Sequence, residues 1–383
     1  MIRPARALAL ALLALTLFPP LSCTTKKERR PGPLTVWLTA DSDEDATQLR
    51  VLGEDFKRQA KIPLELVLKT PYEMQFTVLK HPEDLTGVDV VEVDLFDLPE
   101  AARGMADVSA ALEGIEGTER LYLGGFEAGR IEGVQRFIPW RLSWPALVVT
   151  PELAEVQDWE SLVQAEEENP GGFVIPALDE REFYALLCAI MWGQGGDPAD
   201  AGKIGPGLAF LARLSAIVSV RSGAIGTGSV AQLPREDRPR IFFEWPAGIL
   251  ALSKDASIPM DFRAVTLPCG QTRCIPFFGR YLGSPATAPH PEDAARFLHF
   301  MISPKAQQHQ MFASTWLPVR SDGWGDLAGR EDGYHPLAVG GQLLRALPLE
   351  AKVREAVVKA GKMALFEGAD PEAALEEYRR VIK

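Results

Sequence analysis

Aromatic, charged and hydroxyl side chains occur together where a predicted strand ends. Trp140, Arg141, Ser143 and Trp144 follow Pro139 in this arrangement. Flat aromatic rings can stack on the apolar face of a sugar ring, while polar groups at the rim bond its hydroxyls. Arg141 could instead pair with a carboxylate, either on an anionic solute or elsewhere in the protein. The cluster therefore indicates recognition of a small polar molecule.

Motifs for catalysis are absent from the sequence. It contains no HExxH, GxSxG or P-loop pattern, and Gly226-Thr-Gly228 lacks the third glycine of a dinucleotide site. The five histidines are scattered, without the spacing of zinc ligands. We therefore predict no catalytic residues, no metal and no cofactor. Carboxylate pairs are nevertheless abundant, so a hydrolase is kept as a lesser alternative.

Composition and charge argue against nucleic acid as a partner. The 383 residues carry a formal net charge of −12, whereas phosphate contacts need clustered Lys and Arg. The densest basic cluster, Lys26, Lys27, Arg29 and Arg30, could face a membrane surface or simply be a solvated tether. The length allows about two domains with sizeable cores.

Residues 1–22 have the pattern of an export signal. Arg3 and Arg6 precede an apolar run that is too short for a stable membrane span. Leu21-Ser22-Cys23 resembles the bacterial lipobox, in which the cysteine is acylated and becomes the first residue of the mature chain. The alternative is an ordinary secretory signal with an incidental cysteine. We expect residues 23–33 to be the lipidated cysteine and a flexible tether.

Three further cysteines remain in the mature chain. Cys269 and Cys274 flank a short flexible segment, and disulfides persist outside the cytoplasm, so we predict a disulfide between them. Cys188 lies in an apolar stretch and is predicted to be a buried thiol.

Strand and helix patterns alternate along the chain. Strands are predicted at Leu34–Leu38, Leu64–Leu68 and Val88–Val93, and a second unit of this kind begins at Phe173. Between the first two strands, apolar residues recur every three to four positions, as on one face of a helix. This alternation predicts an α/β fold with mostly parallel strands.

The order of these segments resembles the family of extracellular solute-binding proteins that includes the maltose-binding protein of ABC importers. The resemblance covers nearly the whole mature chain and depends on order and spacing rather than on one decisive motif. The segments that carry it include Leu34-Thr-Val-Trp37, Gly87-Val-Asp-Val-Val91, Phe137-Ile-Pro-Trp140, Phe242-Phe-Glu-Trp245, Tyr281-Leu-Gly-Ser284 and Leu317-Pro-Val-Arg320.

The resemblance implies a two-lobed periplasmic-binding-protein fold, type II-like, with a hinge and an interlobe cleft. Lobe 1 would comprise residues 34–140 and 284–318, and lobe 2 residues 141–283 and 319–383. The implied function is that of a monomeric receptor lipoprotein in the periplasm, lipid-anchored to a bacterial membrane. It would close on a small polar solute, in the first place a sugar or sugar derivative, and deliver it to ABC permease subunits. The alternative is a sensor or adaptor lipoprotein that binds a partner protein.

The resemblance also assigns site residues. Trp245 occupies the position of a stacking tryptophan, although a core role is the alternative. Asp41 and Glu180 match carboxylate positions, and Asp41 could instead favour a helix N-terminus. Ser143 stands where an acidic residue binds sugar hydroxyls, which argues against maltose itself. Further candidates, each also suited to packing, are Tyr72, Asp94, Tyr281 and Trp316.

Overall fold

Two mixed β-sheets organise the described part of the chain. The computed structural model describes residues 32–383 except 154–155, 157, 169–171, 220–221, 223–224, 227, 235–236, 250–261, 269–273, 314–315, 330–336 and 339. Cys23 and Cys269 lie outside these residues, so lipidation and the Cys269–Cys274 disulfide stay predictions. Residues 33–383 form a single unit by their internal contacts.

The strands of this unit are short and mostly buried. They are β1 (Leu34–Thr39), β2 (Leu64–Lys69), β3 (Val90–Asp94), β4 (Arg130–Ile131), β5 (Val134–Gln135), β6 (Phe137–Ser143), β7 (Ala146–Val149), β8 (Phe173–Val174), β9 (Ile241–Glu244), β10 (Arg263–Val265), β11 (Ile275–Pro276), β12 (Phe278–Gly283) and β13 (Leu344–Arg345).

Helices cover the sheets, and a 3₁₀ turn over Leu95–Asp97 follows β3 directly. The helices among the described residues are α1 (Asp43–Ala60), α2 (Pro71–Lys80), α3 (Leu98–Ala101), α4 (Leu123–Ala128), α5 (Trp159–Glu168), α6 (Glu180–Gly193), α7 (Gly205–Leu214), α8 (Ser229–Gln232), α9 (Pro291–Met301), α10 (Pro304–Ala313), α11 (Ala351–Phe366) and α12 (Pro371–Ile382). None of the described helices is long and apolar enough to cross a bilayer.

The first sheet has the strand order β2-β1-β3-β12-β6. β1 pairs in parallel with β2 and β3, whereas β12 is antiparallel to both β3 and β6. The sheet is therefore mixed rather than mostly parallel, because a strand from far along the chain enters between β3 and β6. From the sequence, the residues of β12, which ends at Gly283, were assigned to lobe 2. In the structure this strand pairs within the first sheet. The other lobe bounds stay predictions.

The second sheet has the order β10-β7-β9-β8, in which β7 is antiparallel to β9 and β8 is parallel to it. The pairs β4-β5 and β11-β13 form two small separate ladders. α6 is almost entirely buried between neighbouring helices, and its Cys188 is the buried residue that the sequence predicts. The described fold thus has two sheet-centred layers with helices around each.

Helix α1 shows how the local sequence sets an element at the sheet edge. Ser42 caps it, because the Ser42 side chain accepts a hydrogen bond from the Asp45 backbone N–H. Asp43, Glu44 and Asp45 occupy its first turn, where negative charge is favourable. The helix ends at Ala60, and Lys61 caps it in the left-handed conformation.

Candidate functional site

A cavity of about 250 Å³ lies at the carboxyl end of β3, beside the start of α2. This is the sheet edge at which ligands gather in open α/β proteins. β3 and the turn after it contribute Glu92, Asp94 and Asp97 to the lining, and β12 contributes Arg280. The remaining polar lining residues are Tyr72, Gln75 and Arg181.

The first turn of α2 is held in place by a capping box. Thr70 Oγ1 accepts a hydrogen bond from the Glu73 backbone N–H at 3.2 Å, and Glu73 Oε2 accepts one from the Thr70 N–H at 2.9 Å. The ring of Tyr72 projects from this turn with 76% of the residue exposed. One turn later, Gln75 Nε2 donates to both oxygens of Asp97 at 3.0 Å. The helix therefore brings the exposed Tyr72 ring to the same cavity as the hydrogen-bonded pair Gln75 and Asp97.

Arg280 lies among three carboxylates. Its guanidinium nitrogens are 3.6 Å from Asp41 Oδ1, 3.8 Å from Glu92 Oε1 and 3.7 Å from Asp94 Oδ2. Only 12% of its side chain is exposed, and the three carboxylates raise its pKa against the effect of burial. The positive charge of Arg280 is thus balanced within the protein.

Glu92 is the most deeply buried acid of the cavity. Burial raises its pKa to about 7, although Arg280 and Arg141 act in the opposite direction. Its Oε2 accepts only a long hydrogen bond, 3.4 Å, from the Thr39 N–H. Among the described residues, Glu92 Oε1 and the neighbouring Arg280 Nε have no hydrogen-bond partner. The cavity floor therefore carries a buried acceptor and a buried donor, both unsatisfied.

Arg141 forms a buried ion pair with Asp45. The distances are 3.0 Å from Nη1 to Oδ2 and 2.5 Å from Nη2 to Oδ1. The guanidinium also covers the ring of Trp140, 4.2 Å from its centroid. The sequence left open whether Arg141 pairs with a carboxylate of the solute or with one of the protein. In the structure it pairs with Asp45 of the protein.

Three aromatic residues among the predicted site residues are fully buried, and none of them lines this cavity. Trp140 lies under Arg141. Trp144 Nε1 donates to the Leu337 carbonyl at 3.0 Å, and the Tyr281 hydroxyl donates to the Gly125 carbonyl at 2.9 Å. These contacts are those of packing residues, and a role in solute binding stays a prediction for each.

Trp316 and Asp41 are both close to Arg280, which lines the cavity. Trp316 Nε1 donates to Asp41 Oδ2 at 2.9 Å, and the Arg280 guanidinium is 5.6 Å from the Trp316 ring centroid. Trp245 stacks on Phe278, with centroids 4.5 Å apart and planes at 15°. One face of the Trp245 ring is therefore occupied.

The other predicted residues lie at the edges of this region. Asp94 lines the cavity, accepts a hydrogen bond from the Phe96 N–H and is 3.5 Å from Arg181. Glu180 is exposed at the start of α6, and Ser143 is partly exposed at the end of β6. The structure thus brings Tyr72 and Asp94 into one cavity and places Asp41 and Trp316 next to it.

Sequence reasoning missed Glu92, Arg280, Arg181 and the Gln75–Asp97 pair. One signal was available, because Glu92 is the single carboxylate inside the apolar run Val90-Val91-Glu92-Val93. A charge inside a strand buried on both faces needs a functional or structural reason. Its partner Arg280 is far away in the sequence and could not be identified from spacing.

A two-lobed α/β fold with a polar cavity at a sheet edge is the architecture that solute-binding proteins share. The model of the bacterial extracellular solute-binding protein family matches residues 52–322. The chain therefore belongs to this family, and this membership indicates an extracytoplasmic location. A comparison with curated proteins found no sequence match.

Solved structures of sugar receptors share the fold at low sequence identity. The sugar-binding protein MalE of Xanthomonas citri superposes with a TM-score of 0.77 at 14% identity, over 92% of this chain and 96% of that one. The cyclic α-maltosyl-1,6-maltose-binding protein of Arthrobacter globiformis gives 0.73 at 15% identity, over 92% and 98%. Maltose-bound MalE3 of T. maritima gives 0.69 at 18% identity, over 91% and 98%. These likenesses confirm the two-lobed fold that the sequence predicted.

Proposed function

We propose that the protein captures an uncharged, polyhydroxylated solute of about one or two sugar rings and delivers it to the permease of an ABC importer. The observation that carries the proposal is the combination, in one cavity, of the exposed Tyr72 ring with the unsatisfied buried pair Glu92 and Arg280. Rings and hydrogen-bonding rims are the features that sugars require. The cavity, about 250 Å³, is slightly smaller than the roughly 300 to 1,000 Å³ of sites for larger ligands.

The charge balance of the site supports an uncharged solute. The two terminal nitrogens of Arg141 bind Asp45, and the guanidinium of Arg280 is surrounded by Asp41, Glu92 and Asp94. A carboxylated solute would bring a further negative charge next to these acids, at a cost that rises in a buried site. We therefore expect neutral saccharides to bind better than uronic acids of the same size.

The cellular setting follows from the N-terminal sequence and the family. We propose that residues 1–22 direct export, that acylated Cys23 anchors the chain, and that it acts as a monomer. A binding-competent receptor of this kind presents its docking surface to the permease once the lobes have closed. The sensor or adaptor alternative retains the fold but needs no bound saccharide.

Binding of neutral saccharides is the test. Glucose, maltose and maltotriose are screened by thermal shift and calorimetry, with galacturonate as the charged comparison. A saccharide present at about 100 times its Kd should stabilise the protein by about 2.7 kcal/mol. The Tyr72→Ala variant should lower affinity roughly two- to tenfold, because a stacking contact contributes about 0.5–1.5 kcal/mol.

Leu123→Ala is the matched control for Tyr72→Ala. Leu123 is also largely exposed, at 67%, but does not line this cavity. Both variants should melt like the wild type, since exposed side chains contribute little to stability. Equal saccharide affinity in Tyr72→Ala and Leu123→Ala would remove the cavity from the proposal, and a lack of any saccharide binding would favour the adaptor alternative.

A further inference from the structure

Two unsatisfied polar atoms face each other at the floor of the cavity. Glu92 Oε1 and Arg280 Nε are 3.8 Å apart, which is too far for a direct hydrogen bond. Both side chains line the cavity, both atoms are buried, and neither has a partner among the described residues. Leaving a buried donor or acceptor unsatisfied is unfavourable, and more so when the group is charged.

The separation of these two atoms matches that of two groups bridged by one hydroxyl oxygen. An oxygen about 2.8 Å from each of them closes a triangle on the 3.8 Å side. Arg280 Nε can only donate, so the hydroxyl must accept from it and donate its own proton to Glu92 Oε1. A carboxylate accepts such a hydrogen bond more strongly than a neutral carboxyl group does, so this contact favours the ionised form of Glu92.

We propose that Glu92 and Arg280 bind one hydroxyl group of the solute between them, with Glu92 as the ionised acceptor, so that solute capture releases a proton. This inference depends on the proposed saccharide function, because it assigns the hydroxyl to that solute. It adds two specificity-determining residues and links solute affinity to pH.

The groups around Glu92 set the proton equilibrium. Burial raises the pKa of Glu92 to about 7, and Asp41 raises it further. The positive charges of Arg280 and Arg141 and the hydrogen bond from Thr39 lower it. Behind Arg141, Asp45 compensates that guanidinium. At neutral pH about half of the solute-free molecules therefore carry a proton on Glu92.

The sign of the linkage follows from the hydrogen-bond direction. The solute binds the ionised form, so binding lowers the pKa of Glu92 and releases about half a proton per solute near pH 7. Below that pH most molecules must lose the proton before they bind, and above it almost none must. Affinity should therefore be about tenfold weaker near pH 6 than near pH 8.

Glu244 provides a matched control within the same chain. Burial also raises its pKa to about 7. Unlike Glu92, it accepts hydrogen bonds from the Gly228 and Trp245 backbone N–H groups, and it does not line the cavity. A Glu244→Gln variant removes a titrating buried carboxyl without removing the proposed hydroxyl contact.

The experiment is calorimetry with maltose on the wild type, Glu92→Gln and Glu244→Gln, in two buffers of different ionisation enthalpy. The dependence of the observed heat on the buffer counts the protons exchanged. We expect proton release and the tenfold pH effect in the wild type and Glu244→Gln, and neither in Glu92→Gln. Release that persists in Glu92→Gln, no release in the wild type, or proton uptake would each overturn the proposal.

Infrared difference spectroscopy of the solute-free proteins gives a readout that needs no saccharide. Glu92 and Glu244 should both contribute to the protonated carboxyl band that disappears near pH 7 in the wild type. The band should therefore be smaller in Glu92→Gln and in Glu244→Gln, and absent from the double variant. If Glu92→Gln shows the same band loss as the wild type, the inference is overturned whatever maltose does. A separate outcome is that maltose gives no heat with any variant while the infrared result is as expected. In that case the saccharide function fails for this probe, and the proton release fails with it. Glu92 then stays a buried proton-binding group.

Discussion

Asp45 and Arg141 are nearly inaccessible to solvent, with 7% and 2% of their side chains exposed. Each of these buried charges compensates the other, so removing one would leave the second buried without a counter-charge. We predict that Arg141→Met destabilises the protein by about 3–5 kcal/mol, measured by urea unfolding. The reason is the isolated Asp45 carboxylate rather than the loss of an attraction.

The double variant Arg141→Met with Asp45→Leu is the control for this prediction. Replacing both charges by apolar groups of similar size is often neutral, so it should recover most of the lost stability. An unfolding midpoint of the single variant equal to that of the wild type would contradict the prediction. Solute affinity of the double variant then shows whether this pair also serves the cavity.

Sequence reasoning at the level of single residues was only partly informative. Tyr72 and Asp94 were weak candidates and line the cavity, whereas Trp140 and Trp144 were stronger candidates and lie in the core. A tryptophan is suited to both positions, and its local sequence does not reveal which face of a strand it occupies. The proximity of Glu92 and Arg280 depends on the pairing of β3 with β12, two strands that are far apart in the sequence.

Helix α2 places Tyr72 and Gln75 at the cavity, and its capping box fixes where the helix begins. We predict that Thr70→Ala lowers the free energy of unfolding by about 1 kcal/mol, as expected for a lost N-cap. Hydrogen bonds from Thr70 also lower the pKa of Glu73. The larger of these is donated by the Thr70 backbone N–H, which Thr70→Ala keeps, and the smaller by its hydroxyl. The stabilisation is present above the ordinary Glu pKa and is lost as the pH falls, so Thr70→Ala should be only slightly less sensitive to acid.

Thr77→Ala is the matched control on the same helix. Its hydroxyl donates to the Glu73 carbonyl inside the helix, at 2.9 Å, and does not cap an N-terminal N–H. Alanine is the better helix former at an interior position, so this variant should be neutral or slightly more stable. Equal urea midpoints for the two variants would argue against the cap as the determinant of α2.

Elements with strong local signals were predicted accurately. The strands predicted at Leu34–Leu38 and Leu64–Leu68 are β1 and β2, and each extends one residue further than predicted. β12 was instead assigned to lobe 2, without a predicted strand. Its role in the sheet depends on partners in β3 and β6, and local propensity carries no information on such partners.

At the scale of the whole molecule, Arg181 joins helix α6 to the end of the first sheet. Its Nη1 is 3.5 Å from Asp94 Oδ1, and its guanidinium is 5.3 Å from the centroid of the Phe96 ring. Tyr184 of the same helix also contacts Phe96, with centroids 6.3 Å apart. Arg181 also lines the cavity, so one side chain contacts the cavity, the end of the first sheet and helix α6.

We predict that Arg181→Ala shifts the molecule towards its open form. The Arg181 side chain is 45% exposed, so its ion pair contributes modestly, and the maltose concentration needed for closure should rise about two- to fivefold. Small-angle scattering measures this as the radius of gyration during a maltose titration. Arg213→Ala is the control, because Arg213 forms a comparable exposed pair with Glu160 away from the cavity. Each variant loses one exposed ion pair, but only the pair of Arg181 lies at the cavity. Identical titration curves for the two variants would therefore show that Arg181 does not contribute to closure.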